Sequence, residues 1–543
     1  MTLSKSQIAL YLALIGAISI SLKLYLVDFT LPVINDDQFF ALSAISYVND
    51  EFALIAKKNP GWPLFVSFFY RLFESDNFLD YSNAIRMISI GTTTIAIIPM
   101  YLLSRKFFNE KYSLVGASLL AFEPHINFRA GFGFSEALFI PVAIMTIFFI
   151  LNKNNKLVYL SFVFGGLLWW IRVEGIAIFF VISIIFFVIN KKSPIMIPKY
   201  LVCLAIFALL VSPMLIQRYE QFGDPFYFYY NDRLFVEDYL VTGIQESGKT
   251  ASSYIDEKGP LQFIHRFVIT GTYKIIEQTA LITAPYLMFL LPFGALFSLR
   301  PFDQDRSFIK ANWLVILVYA GLMIIPFAVI SERRFLFILY PFLIVFSVIA
   351  IQRVVEYGLS TFSFSPRSKN IFLVIALSFF LLLSSVFMLR YDVIDSFEEQ
   401  EKIKFANFLD TEFDGIMLES PNKRVFQHGY LYYAKLDNPP ENFKNFRIID
   451  DPVRQSGIRI LPVQGESMQE IIINAKNQDA NYLLIDDNNK LASLDDLYQN
   501  EDKYQELKKI FDTSESGYDR LKFKIFEIDY EKFDQFRLTN EVN

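Results

Sequence analysis

The chain has 543 residues, 53% of them hydrophobic, with 59 Phe and a formal charge of −6. Its apolar residues come in long blocks, which excludes a soluble globular protein and makes it a multi-pass α-helical membrane protein. Residues 1–391 hold 31 Lys/Arg against 25 Asp/Glu, while 392–543 hold 19 against 31, so an acidic tail follows a basic membrane portion and a nucleic-acid partner is disfavoured.

Blocks long enough to span a bilayer fall at about 6–28, 82–104, 112–126, 134–151, 157–172, 175–190, 199–217, 278–299, 311–330, 335–352 and 370–390, about eleven transmembrane helices in all. The sole cysteine, Cys203, lies in one of them and reads as core. With the N-terminus in the cytoplasm, the short inner loops and Lys5 carry 15 Lys/Arg against four acids, Glu110, Asp303, Asp305 and Glu356. The positive-inside rule selects that orientation, and an odd number of spans puts the tail outside. The expected domains are therefore 1–391, in the membrane, and 392–543, extracytoplasmic. The expected location is a plasma membrane.

Between the first two blocks, in an external loop over 29–81, the adjacent carboxylates Asp36 and Asp37 stand at the membrane surface. Phe39, Phe40, Leu42, Ala44, Ile45 and Tyr47 then predict a helix lying flat with one apolar side. Lys57 and Lys58 follow, then a Pro60-Gly61-Trp62-Pro63 turn into a further apolar stretch. Other external helix ends carry Glu123, His125 and Arg129, then Glu136, then Arg172 and Glu174, and lastly Arg333 and Arg334. Interfacial snorkelling could place any one of these, but acids gain little from it, and the recurrence points to one shared polar pocket.

A second external loop, 218–277, holds the aromatic run Phe226–Tyr230 and then His265 and Arg266. The run suits stacking on a sugar or lipid as well as it suits an interfacial belt. The tail predicts an α/β domain. A helix is expected over 398–413, strands at 415–419 and 481–487, a short helix at 505–511 and a terminal strand at 521–528. It has no nucleotide-binding glycine motif, so capping the pocket or binding an acceptor is the expected role.

These residue types suit sugar transfer from a polyprenyl phosphate. The phosphate leaves without protonation, so one carboxylate, Asp36 or Asp37, suffices as general base to an acceptor hydroxyl. Arginine suits the departing phosphate through paired hydrogen bonds. Arg172, Arg333 and Arg334 are candidates, with Lys57, Lys58 and Arg266 behind them. A transporter or flippase is the alternative. It should place ionisable groups near the midplane and often shows repeat symmetry, whereas these charges gather at helix ends.

The order of motifs resembles the GT-C membrane glycosyltransferases, in particular the group of dolichyl-phosphate-mannose–protein mannosyltransferases and lipid A aminoarabinose transferase. The resemblance rests on Asp36-Asp37-Gln38-Phe39-Phe40, Asn59 through Leu64, and Ala84 through Ser89. It continues with Ser135 through Phe139, Gly165 through Gly175, and Glu332 through Pro341. It implies Asp36 as the catalytic carboxylate, Asp37 beside it, and Glu123 as a supporting acid from the second external loop. The donor it implies is a polyprenyl-phosphate-linked sugar, and the acceptor a protein, lipid or glycan. The external loops hold no Asp-x-Asp pair, and three scattered His are no metal signature, so no metal or other cofactor is expected.

Overall fold

The computed structural model describes residues 3–49, 58–152, 156–190, 194–227, 234–235, 250–300, 304–391, 395–420, 426–437, 457–489 and 491–541. Lys57 and the 228–230 part of the aromatic run lie outside them. Helix occupies the body of each of the eleven apolar blocks. Among the described residues six helices are long and apolar enough to cross a membrane: Lys5–Tyr25, Phe78–Ser104, Met196–Phe222, Arg306–Val329, Arg333–Thr361 and Pro366–Arg390. Glu136–Ile150, Leu157–Ile171 and Gly175–Ile189 are apolar but shorter.

The block expected at 278–299 is not one straight helix. Pro260–Thr283 and Leu287–Ser298 meet at a 113° bend. The cause is Pro285, which disfavours the helical region for the residue before it, and Ala284 is extended at ψ 148°. Likewise 112–126 divides at Phe122-Glu123 into Glu110–Ala121 and the short Pro124–Ala130.

Arg333–Thr361 is the axis of the bundle, buried along its whole apolar length. Lys5–Tyr25 and Pro366–Arg390 lie at its outside and turn Leu10, Leu14, Phe379 and Leu382 outward, an apolar face suited to lipid. The two ends of the axial helix carry different charge clusters. At one end stand Arg333 and Arg334. At the other, Glu356 accepts from Tyr112 and pairs with Lys111 and Lys369. From Arg334 to Arg353 is roughly 30 Å of helix, the thickness of a bilayer's hydrocarbon core.

The helix after the acidic pair, Asp36–Val48, does not lie on a surface. Phe40, Leu42, Ile45 and Tyr47 are buried, and so are Gln38, Ser43 and Ser46 on its other faces. It has no basic residue to face lipid headgroups, and Ser43 satisfies itself by donating to the Phe39 carbonyl. It therefore packs inside the protein, against Gly61–Tyr70.

The tail holds a five-stranded sheet of Ile416–Glu419 (β1), Arg459–Pro462 (β2), Tyr482–Asp486 (β3), Leu507–Asp512 (β4) and Phe523–Ile528 (β5), in the order β2-β1-β3-β5-β4. β1 runs parallel to β2 and β3, and β5 antiparallel to β3 and β4. The helix Ser396–Glu412 covers one face through Phe405, whose ring stacks on Phe511 and Phe523. The expected helix at 505–511 is instead the edge strand β4, in which Leu507 pairs with Ile528. Its apolar spacing fits a short helix as well as a strand, and pairing with β5 decides between them. Lys508 points outward, as suits an edge strand.

Candidate active site

Both carboxylates of the pair occupy the first turn of Asp36–Val48, where the helix dipole favours negative charge. The preceding residue, Asn35, has φ 58° and ψ −123°, a backbone region that costs a non-glycine residue energy and is found at functional sites. Arg86 holds the chain that leads there. Its guanidinium donates to the carbonyls of Leu31, Pro32 (3.2 Å) and Gly131 (3.0 Å). The Asn59–Trp62 turn is fixed with equal care. The Asn59 amide donates to the Trp169 carbonyl and accepts from Arg218 at 2.8 Å, and Trp62 donates to the Gly133 carbonyl at 2.8 Å. Gly61 lies flat on the Trp170-Ile171 backbone, where a Cβ would sit 2.6 Å from the Trp170 carbonyl carbon.

That turn delivers Lys58 to Asp36. One Asp36 oxygen pairs with Lys58, and the other accepts from Arg334 at 2.7 Å, which also pairs with Glu332. The three side chains come from separate segments, so the cluster joins the first loop to the start of the axial helix. The Asp36 side chain is still 35% exposed, opening on a cavity of about 840 Å³. Asp37, Arg86, His125, Arg129, Arg333 and Arg334 also line this cavity.

The two carboxylates differ in their electrostatics. Burial would raise Asp36, but Lys58 and Arg334 outweigh it and hold the group below the usual carboxylate range. Asp37 is 9% exposed and forms no hydrogen bond or ion pair among the described residues. Burial first, and then the Asp36 charge, push it up to about 7.

Arg129 and Arg333 reach the cavity without a carboxylate partner among the described residues. Arg129 lies over the Phe132 ring, and Arg333 donates only to Gln278 at 3.3 Å. His125 is buried beside them against Phe337 and Phe387, and its Nε2 has no hydrogen-bond partner among the described residues.

Several expected residues are elsewhere. Arg172 is bonded to Glu136 at 2.6 Å, to Glu174 through two nitrogens and to Ser135 at 2.9 Å, so four of its five N–H donors are already engaged. This trio is buried and off the cavity wall, which removes Arg172, Glu136 and Glu174 from the set that can meet a ligand there. Glu123 is fully buried and caps Pro124–Ala130, accepting from the Ile126 N–H at 2.7 Å, and it does not line the cavity. Arg266 lies over the Tyr254 and Phe267 rings, away from the cavity.

Residues that the sequence did not single out complete the wall. Glu399 and Tyr430, hydrogen-bonded to each other, come from the tail. The one available signal was Arg86, a lone arginine inside an apolar block. Among the described residues no three His, Cys, Asp or Glu side chains gather as a metal site. Both Asp36 oxygens face cations, so the donor set as it stands does not suit a divalent ion.

The layout of the chain is shared with solved structures. The Archaeoglobus fulgidus oligosaccharyltransferase superposes with a TM-score of 0.56 at 13% identity, over 89% of this chain and 70% of that one. ArnT from Cupriavidus metallidurans, solved with undecaprenyl phosphate, superposes with 0.56 at 10% identity, over 95% and 97%. The chain has the GT-C fold. The mycobacterial arabinofuranosyltransferase AftD matches at 0.51 and 13% identity, over 97% of this chain and 40% of its own. The model of the dolichyl-phosphate-mannose-protein mannosyltransferase family matches residues 57–216. No protein of curated function matches the chain in sequence. Residues 57–216 of this GT-C chain include Lys58, the Asn59–Trp62 turn, Arg86 and Arg129, but the acidic pair lies just before them.

Proposed function

We propose that the chain is a glycosyltransferase that moves a sugar from a polyprenyl-phosphate-linked donor to an acceptor hydroxyl on a protein, lipid or glycan. The observation that carries this reading is one cavity in which Asp36 and Asp37 meet Arg129, Arg333 and Arg334. The GT-C fold supports it, as does a polyprenyl phosphate bound to ArnT.

Arg129 and Arg333 take the phosphate, since among the described residues they have no carboxylate partner and, unlike Arg86, do not spend their donors on backbone carbonyls. A bound phosphate also draws Lys58 and Arg334 from Asp36, freeing a carboxylate that these cations had kept ionised. Asp36 then accepts the proton of the acceptor hydroxyl as its oxygen attacks the anomeric carbon. The new carbon–oxygen bond forms as the bond to phosphate breaks, and polyprenyl phosphate leaves as an anion held by arginine. A single displacement of this kind inverts the anomeric centre. Arg172 and Glu123 have no part in this scheme, which departs from the roles that the resemblance implied. Nor is a divalent metal part of it.

The basic cluster at the opposite end of the axial helix supports a cytoplasmic N-terminus, with the cavity and the tail on the external face of the plasma membrane. The test is release of polyprenyl phosphate from a panel of labelled polyprenyl-phosphate hexoses by the purified protein. Turnover of one donor is expected. A folded protein that neither binds nor consumes any of them, with acceptors supplied, would instead favour transport.

A further inference from the structure

The acidic pair is bracketed by two residues that both touch one glycine of the tail. On one side Asn35 holds its positive-φ backbone without a side-chain capping bond. On the other, the Gln38 amide donates to the Gly429 carbonyl at 3.4 Å. Gly429 packs so tightly here that a Cβ would overlap the Ile34 Cγ2 and stand 3.0 Å from the Asn35 Oδ1. The neighbouring Tyr430 is part of the cavity wall, and its partner Glu399 is held in turn by Lys402 at 2.7 Å. Arg86 grips the same strand of chain from the membrane side, through the carbonyls of Leu31 and Pro32. The segment 31–38 is thus clamped between the bundle and the tail. The energetic need for a clamp is the unfavourable backbone at Asn35, which persists only where the surroundings enforce it.

We infer that Gly429 is a positioning residue, through which the C-terminal domain sets the backbone of Asn35 and so aims Asp36 and Asp37 into the cavity. This rests on the transferase reading. The domain is then part of the active site's construction and more than a cover over it. The position requires glycine for space, because the carboxylates lie within two residues of the atoms that any side chain would displace.

The experiment compares Gly429→Ala, Ile34→Ala and the double variant in the full-length protein, using whichever labelled polyprenyl-phosphate hexose the wild type consumes. Gly429→Ala should lower kcat about tenfold or more, since a misplacement of ~1 Å can cost about 100-fold in rate. Donor affinity and Tm should hold, because Arg129 and Arg333 are untouched. The double variant should regain the kcat of Ile34→Ala, which removes the atom that the new methyl meets. Hydrogen exchange gives a readout independent of any donor: Gly429→Ala should raise exchange over 34–40 and leave β1 and β3 protected. Unchanged exchange over 34–40, or a kcat equal to wild type, would overturn the inference. So would a loss of kcat, affinity and Tm together that Ile34→Ala does not repair. A wild type that consumes no donor sinks the transferase reading instead, and exchange still decides whether Gly429 sets the 34–38 backbone.

Discussion

Two ionic clusters lie at the same end of the bundle, built from the same kinds of residue and put to different uses. In one, Arg172 sits between Glu136 and Glu174, with Glu136 only 1% exposed and Arg172 11%. In the other, Asp36 sits between Lys58 and Arg334 and remains 35% exposed, with Asp37 beside it unpaired among the described residues and with Arg129 and Arg333 also lining the cavity. The first cluster is closed: two acids and a serine engage four of the five N–H donors of one buried guanidinium. The second is open, with cations in excess of those the acids engage. Charge recurring at helix ends therefore shows where polar chemistry lies. Whether a ligand can take part depends on the pairing and on access to the cavity.

The sharpest way to break this comparison is to remove one charged group from each cluster. Asp36→Asn should cut turnover about 1,000-fold, within the usual range for loss of a general base, while the donor still binds. Removing Arg172 should act on folding instead. Arg172→Ala leaves two buried carboxylates without their partner, and a loss of about 3–5 kcal/mol is expected, read as a fall in Tm or in yield of folded protein. If Arg172→Ala folds normally and loses only turnover, the closed cluster has been misjudged.

Smaller effects sharpen the open cluster. Arg129→Ala and Arg333→Ala should each weaken donor binding by about 1.5–3 kcal/mol, the worth of a hydrogen bond to a charged group, with Tm unchanged. Asp37 makes a prediction about pH. Its carboxyl is raised from 3.8 to about 7 in the folded protein, so the folded state holds a proton that the unfolded state has lost. Stability should therefore fall as pH rises across that window, and Asp37→Asn should flatten the fall in Tm measured at several pH values. The same variant separates the two carboxylates in catalysis. With Asp36 as base, the neutral-pH rate profile keeps its shape in Asp37→Asn. A wild-type step near pH 7 that this variant abolishes would make Asp37 the base. Smallest of all, Glu123→Ala should cost about 1 kcal/mol through the lost helix cap and spare turnover, and a chelator should leave turnover unchanged.

The sequence carried the multi-pass helical class because long apolar blocks admit few readings: helix occupies all eleven, although among the described residues only six helices are long enough to cross a membrane. It carried the acidic pair and its basic companions because their residue types are costly at a membrane boundary. What it could not carry was pairing. Arg172 and Arg333 look alike as letters, and only the fold puts two glutamates around one and none around the other. The helix after Asp37 looked superficial because its apolar residues lean to one side, but the serines and glutamine on its other faces are buried too. The breaks at Ala284 and Glu123 were hidden for a related reason: hydropathy runs through them, although a proline directly follows each. In the tail, 505–511 was ambiguous as an isolated segment, and its partner strand lies about ten residues further on. Gly429 had no signal at all, since its importance comes from Ile34 and Asn35, almost 400 residues away.

The most direct measurement is a structure of the Asp36→Asn variant, which should bind without reacting, in complex with a polyprenyl-phosphate hexose. The account predicts the phosphate between Arg129 and Arg333, with the anomeric carbon turned toward residue 36 and Arg334 drawn toward the ligand. A donor bound outside this cavity, or one whose phosphate opens the Arg172 cluster while Arg129 and Arg333 stay free, would contradict it.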